Sequence, residues 1–109
     1  MGTLDIGGSQ LDTSWFPLLG AILFTLGTVG VLVRRNPLII LISIELMLNA
    51  VNLTLIAFSR QLENLEGQLF ALMTMTVAAA EAVVGLAILV DIFRVRDLED
   101  VDDLSELKG

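Results

Sequence analysis

Three long stretches with almost no charged side chains constrain this chain more than any other feature. They cover residues 14–33, 37–59 and 67–93, and each is long enough to cross a hydrocarbon core about 30 Å thick as a helix. Their apolar residues run continuously instead of alternating with polar ones, which favours helices over the strands of a membrane barrel. The chain is therefore predicted to be an all-α membrane protein with three transmembrane helices.

The composition agrees with a membrane protein and excludes several classes of function. The 109 residues are 55% hydrophobic and 17% charged, whereas a soluble domain is usually about 45–50% apolar and about 25% charged. Cysteine and histidine are both absent, which excludes disulfides, Cys/His metal centres and histidine-based catalytic triads. A net charge of -7 argues against nucleic-acid binding. We expect no catalytic centre, cofactor site or metal site on this chain.

The positions of lysine and arginine predict the orientation in the membrane, because these residues concentrate on the cytoplasmic side. Arg34 and Arg35 lie between the first and second stretches, and three more basic residues follow the third. Arg60 is alone on the opposite side. We therefore expect residues 1–13 to form a periplasmic extension, and residues 94–109 to form an acidic cytoplasmic tail.

The segments between and around the stretches add three expectations. Asn36 followed by Pro37 is typical of a helix start, with asparagine as the N-cap and proline in the first turn. The short polar segment 60–66 predicts that the second and third helices form an antiparallel hairpin. No basic residue precedes the first stretch, unlike in a signal peptide, so this stretch is expected to remain as a membrane helix.

The acidic tail has two interpretations that the sequence leaves open. Runs of acidic residues are usually solvated and poorly ordered. The alternative is a short amphipathic helix that docks on a partner, since apolar residues recur at three-residue spacing. These residues are Leu98, Val101, Leu104 and Leu107.

Glu45 and Glu81 are the candidate functional residues, because each is a carboxyl inside a membrane-spanning stretch. A charge at the bilayer centre costs at least ~2.5–3.5 kcal/mol, and such residues commonly mark proton relays. Counted from Pro37 and from Phe93, they lie about 12 Å and about 18 Å from the cytoplasmic ends of their helices. We expect both to transfer protons. The structural alternative is a neutral carboxyl that only hydrogen-bonds a neighbouring helix.

Three polar residues are expected to support these carboxyls. Asn49 and Asn52 follow Glu45 by four and seven residues, which places them on one helical stripe. Thr74 shares a face of the third helix with Glu81, seven residues before it. The first stretch has a comparable face of small residues that suits close helix packing. It comprises Ala21, Thr25 and Thr28, with Gly20, Gly27 and Gly30 nearby.

Most of the chain resembles one known family. The matching segments are GVLVRRNPLIILISIELMLNAVNL from residue 30, GQLFALMTMTVAAAEAVVGLAILVDIFR from residue 67 and VDDLSELKG at the end. In this combination they resemble the K subunits of NADH:quinone oxidoreductase, respiratory complex I. Only about the first dozen residues have no counterpart.

The resemblance implies a function that the residues alone do not give. K subunits have three transmembrane helices in the membrane arm, between the quinone-proximal and the antiporter-like subunits, in the bacterial plasma (inner) membrane. Two intramembrane glutamates, matched here by Glu45 and Glu81, are implicated in coupling quinone reduction to proton pumping, and a cytoplasmic arginine pair matches Arg34 and Arg35. The resemblance also implies that FMN, the iron–sulfur clusters and the quinone are bound by other subunits.

Three alternatives stay open from the sequence. The C-type subunit of multisubunit sodium/proton antiporters is similar in length and span number, but generally lacks the carboxyl at the position of Glu45. A membrane-bound hydrogenase also uses a subunit of this type. The third alternative is a purely structural membrane scaffold with inert carboxyls.

Overall fold

The computed structural model describes residues 3–6, 9–12 and 14–108, and consists of three long helices preceded by a small hairpin. The elements in chain order are β1 (Thr3–Ile6), β2 (Ser9–Asp12), α1 (Trp15–Val33), α2 (Pro37–Gln61) and α3 (Glu66–Lys108). The two strands pair antiparallel, with Thr3 opposite Asp12 and Ile6 opposite Ser9. They occupy the extension before the first helix, for which the sequence predicted no structure.

All three helices are long and apolar enough to span a membrane. The spanning segments are Trp15–Val33, Pro37–Gln61 and Glu66–Asp97. The prediction of an all-α membrane domain with three transmembrane helices is confirmed. Helix α3 has 43 residues, and its backbone continues as a helix from the apolar part through the acidic tail to Lys108.

The start of α2 follows the predicted capping chemistry. The Asn36 side chain accepts a hydrogen bond of 2.9 Å from the backbone N–H of Leu38, and Pro37 is the first helical residue. This arrangement supplies a partner to an N–H at the helix end and places proline where its missing N–H costs nothing.

A four-residue turn over 62–65 connects α2 to α3 and makes them antiparallel, as predicted. Glu63 has a φ of 53°, in the left-handed region. Its neighbour Asn64 stabilises the turn with two hydrogen bonds. The Asn64 N–H donates to the Ser59 carbonyl at 3.1 Å, and the Asn64 side-chain oxygen accepts from the Glu66 N–H at 2.9 Å. The Ser59 hydroxyl also donates to the Asn64 carbonyl.

Helix α2 lies between the other two helices and packs against both, while the described parts of α1 and α3 share no comparable interface. The domain is therefore an open row of helices. Glycines form the contact between α1 and α2. A Cβ at Gly27 would lie 2.5 Å from the Met47 Cγ and 2.8 Å from the Ser43 carbonyl oxygen, and one at Gly20 would lie 2.5 Å from the Thr54 Oγ1.

The face of small residues that the sequence predicted on the first helix therefore only partly coincides with the face of α1 that packs against α2. Gly20 and Gly27 are buried against α2, whereas Ala21 and Thr25 are exposed and Thr28 is half-buried. The exposed threonine is satisfied within its own helix, because its hydroxyl donates to the Ala21 carbonyl at 2.8 Å. Without such internal hydrogen bonds, hydroxyls facing lipid would carry a desolvation cost.

Candidate functional site

Two close contacts fix how α2 and α3 are aligned. We call the interface between α2 and α3 the α2–α3 seam. A Cβ at Gly85 would lie 3.4 Å from a Leu41 methyl near one end of this seam, and one at Gly67 would lie 2.9 Å from the Ser59 Cβ near the other end. Moving four residues along α2 from Leu41 reaches Glu45, and moving four residues back along α3 from Gly85 reaches Glu81. Because the helices are antiparallel and rise equally per residue, the two carboxyl-bearing residues lie level with each other.

This register refines the estimate from the sequence, in which the two glutamates differed in depth by several ångströms. That estimate counted back from Phe93, but α3 continues as a helix well beyond this residue. Packing against α2 therefore provides a better reference than the end of an apolar run. Glu45 is eight residues from the start of α2 at Pro37, about 12 Å along the helix.

The two carboxyl residues have different surroundings. Glu45 is half-buried on the side of α2 that faces α3, whereas Glu81 is exposed at the edge of the seam. Glu81 contributes to a shallow groove on α3 whose other lining residues are small or aliphatic. They are Ala80, Val84, Gly85 and Ile88. Glu81 is thus accessible from outside this chain, while Glu45 is partly enclosed by it.

The structure separates the two asparagines that the sequence placed on one stripe. Asn52 is only 3% exposed in the α2–α3 seam, while Asn49 is exposed. Four residues rotate the side chain about 40° in one direction around the helix, and seven residues rotate it about 20° in the other. Asn49 therefore turns away from α3, and only Asn52 shares the seam with Glu45.

Thr74 is half-buried on α3 and its hydroxyl donates to the Phe70 carbonyl at 2.9 Å. The register that aligns Glu45 with Glu81 also aligns Asn52 with Thr74. The two predicted supporting residues on different helices are therefore brought to one level, seven residues from the carboxyl pair in the direction of the α2–α3 turn.

Ser59 is a polar residue of the seam that the sequence reasoning missed. It is 5% exposed, and it follows Asn52 by seven residues just as Asn52 follows Glu45. This seven-residue spacing was a signal available in the sequence. The stripe Glu45–Asn52–Ser59, which we call the polar stripe, runs along the face of α2 toward α3.

Arg34 and Arg35 lie in the connection between α1 and α2, and both are exposed. The Arg34 backbone N–H donates to the Gly30 carbonyl at 3.2 Å, which ends α1. Neither arginine is level with the carboxyl pair, because both precede Pro37, which is eight residues before Glu45. They lie where α1 ends and α2 begins, and their cytoplasmic location stays a prediction.

The described residues offer no donor set for a metal ion. Among the residues whose side chains the structure describes, no three His, Cys, Asp or Glu side chains cluster closely enough to hold one. The full sequence contains neither cysteine nor histidine, so the usual protein ligands of iron–sulfur clusters do not exist on this chain. What this site offers chemically is two carboxyl groups at one level and a line of uncharged polar groups beside them.

Comparison with known proteins gives a family match over nearly the whole chain. The family model described as NADH-ubiquinone/plastoquinone oxidoreductase chain 4L matches residues 15–109. Subunit K 1 of the NADH-quinone oxidoreductase of Geotalea daltonii is 55% identical over 91 residues, which cover 84% of this chain and 91% of the relative. Subunit K 2 from Geotalea uraniireducens is also 55% identical, and subunit K 1 from Geobacter sulfurreducens is 54% identical, with the same coverage.

Proposed function

Because the chain belongs to the NADH-ubiquinone/plastoquinone oxidoreductase chain 4L family, we propose that it supplies Glu45 and Glu81 to the proton-translocating path of NADH:quinone oxidoreductase. The family expected from the sequence is confirmed. The chain is a multi-pass subunit of this enzyme in the bacterial inner membrane. The level alignment of the two carboxyl residues across the α2–α3 seam is the observation that carries the proposal.

Two carboxyl groups at one level on neighbouring helices have a property that a single buried carboxyl lacks. In a medium of low dielectric, the charge on one strongly affects the energy of a charge on the other. Such coupling suits a relay, in which a proton passes from one group to the next as the surroundings change.

The different exposure of the two groups gives each a separate role in this proposal. Glu81, exposed at the edge of the seam, exchanges protons with a neighbouring subunit of the membrane arm. Glu45, between α2 and α3, exchanges them within this chain. The neighbours are the quinone-proximal and antiporter-like subunits. FMN, the iron–sulfur clusters and the quinone belong to other subunits, and this chain has no catalytic centre of its own.

The test replaces each carboxyl by its neutral isostere in the intact complex. For the Glu45→Gln, Glu81→Gln double variant we expect NADH-driven proton pumping in inverted membrane vesicles to fall about 100-fold or more, the lower end of the contribution of a positioned proton-transfer group. The amide preserves size and hydrogen bonding, so assembly of the complex, followed on native gels, should not change. Glu66→Gln, at the exposed start of α3, is the matched control and should pump normally.

The Asp variants sharpen the result. Glu45→Asp and Glu81→Asp retain an ionisable group, so they should recover part of the lost pumping. A double Gln variant that assembles and pumps at the normal rate would establish the scaffold alternative and exclude a role for these carboxyls in coupling.

A further inference from the structure

Asn52 is the one polar side chain in the described residues that is buried with both of its hydrogen-bonding atoms unpaired. It is 3% exposed, and neither its Nδ2 nor its Oδ1 has a partner among the described residues. Buried polar groups in folded proteins are almost always hydrogen-bonded, to protein or to water. An amide that keeps both a donor and an acceptor free is therefore a binding site for something small.

The surroundings of Asn52 on α3 are small residues. By the register of the seam it lies level with Thr74, between Ala71 and Ala78, which are 0% and 7% exposed. The Thr74 hydroxyl gives its hydrogen to the Phe70 carbonyl, so its oxygen still has a lone pair that can accept another hydrogen bond. At this level the seam contains two hydrogen-bond acceptors, the Asn52 Oδ1 and the Thr74 hydroxyl oxygen, and one donor group, the Asn52 Nδ2. The residues of α3 on either side of Thr74 in the seam are alanines.

Burial decides which kind of ligand fits. A side chain of a neighbouring subunit cannot reach an amide that is sealed between two helices, and a single neutral amide does not hold a metal ion. A water molecule satisfies the chemistry, because it accepts from Nδ2 while donating to Oδ1 or to the Thr74 hydroxyl. Buried waters typically make about three hydrogen bonds to such groups.

We propose that Asn52 binds a water molecule in the α2–α3 seam, and that this water is a proton-relay position between the carboxyl pair and the α2–α3 turn. The first part depends only on the seam. The second part rests on the proposed function of Glu45 and Glu81. Asn52 lies halfway along the polar stripe, one seven-residue interval, about 10.5 Å, from Glu45 and one from Ser59, so the relay includes further waters in these two intervals.

The experiment uses the whole complex with three variants of this chain. Asn52→Leu keeps the volume and removes the donor and the acceptor, and Asn52→Ser restores a hydroxyl that can bind water. Ser43→Ala is the control, since Ser43 is a buried polar residue of α2 in the other seam whose hydroxyl is already bonded to the Ile39 carbonyl at 2.7 Å. Proton pumping and NADH oxidation are measured in inverted vesicles, and a high-resolution map is obtained for the wild type and for Asn52→Leu.

We expect solvent density within hydrogen-bonding distance of both Asn52 amide atoms in the wild-type map, and none in Asn52→Leu. Pumping should fall several-fold in Asn52→Leu, recover in Asn52→Ser and stay normal in Ser43→Ala. An asparagine that only fills space would give the opposite order of activities, because leucine keeps the side-chain volume and serine does not.

Two outcomes overturn the inference. A wild-type map with no solvent at Asn52 removes the water site. Normal pumping in Asn52→Leu removes the relay, even where the water is present. If the Glu45→Gln, Glu81→Gln variant loses pumping in the same assay, the proposed function survives that failure. If this variant also pumps normally, the proposed function and the relay are both wrong.

Discussion

At the scale of single residues, Glu63 has a backbone conformation that side chains disfavour. Its φ of 53° is in the left-handed region, which costs a residue with a Cβ roughly 1–2 kcal/mol. The turn accepts this cost because Asn64 can then bond both the end of α2 and the start of α3. Glycine would meet the same requirement without the steric cost.

We therefore predict that Glu63→Gly stabilises the α2–α3 hairpin by about 0.5–1 kcal/mol, the steric relief being offset in part by the greater freedom of glycine when unfolded. The midpoint of thermal inactivation of the purified complex should rise slightly. Glu66→Gly is the control, because position 66 is in the first turn of α3 and glycine in a helix costs about 0.5–1 kcal/mol. A lower midpoint for Glu63→Gly would contradict the strain argument.

Asn49 and Asn52 show where sequence reasoning about the site stops. The sequence identified Glu45, Glu81, Asn52 and Thr74 because polar groups in an apolar run are conspicuous. It could not separate the exposed Asn49 from the buried Asn52, since both lie within one helical stripe around Glu45. Which edge of a stripe is buried depends on the rotation of the helix against its neighbours, and this rotation is set by packing.

At the scale of elements, glycine determines how closely α1 and α2 approach. In lipid, helices gain little from the hydrophobic effect and associate through close packing of small residues. The Ser43 carbonyl lies so near Gly27 that an added Cβ would be 2.8 Å away. A backbone atom cannot rotate aside as a side chain can, so this contact requires glycine.

We predict that Gly27→Ala separates α1 from α2 and costs about 1–3 kcal/mol, the range of overpacking. Less of the chain should be found in the assembled complex, as measured by quantitative immunoblotting of native gels. Gly85→Ala is the matched control, because its Cβ would meet only Leu41 methyls, at 3.4 and 3.7 Å. Equal losses for the two variants would show that glycine matters for a reason other than the approach to Ser43.

The ends of the helices were predictable and their alignment was not. Asn36 and Pro37 indicate the start of α2 through local chemistry alone, and the polar segment before Glu66 indicates a turn. The level alignment of Glu45 with Glu81 depends instead on contacts such as Leu41 with Gly85, between residues far apart in sequence. Hydropathy gives each helix a length, and only packing gives two helices a register.

At the scale of the whole molecule, the chain is an elongated object of 73 × 26 × 24 Å. Its length exceeds a hydrocarbon core of about 30 Å, mainly because α3 continues through the acidic tail. The tail backbone is helical in the structure, whereas docking of this helix on a partner stays a prediction. The orientation expected from lysine and arginine places the tail in the cytoplasm.

We predict that a cysteine at position 3 is labelled from the periplasm and one at position 96 from the cytoplasm. The natural chain has no cysteine, so Thr3→Cys and Arg96→Cys each provide a single site. A membrane-impermeant maleimide added to intact spheroplasts should label the first, and added to inverted vesicles should label the second. Labelling with the opposite sidedness would reverse the orientation, and with it the direction of the polar stripe.

The open row of helices also has a consequence for the assembly of the complex. A newly inserted copy has α2 in the middle, with α1 and α3 on either side, and in the part of the chain that the structure describes this row of three helices encloses no aqueous channel. Such a copy can wait in the bilayer for its neighbours without draining the electrochemical gradient of the cell. In the proposed function, Glu81 exchanges protons with a neighbouring subunit, so the proton path is complete only after assembly and an unassembled copy conducts no protons.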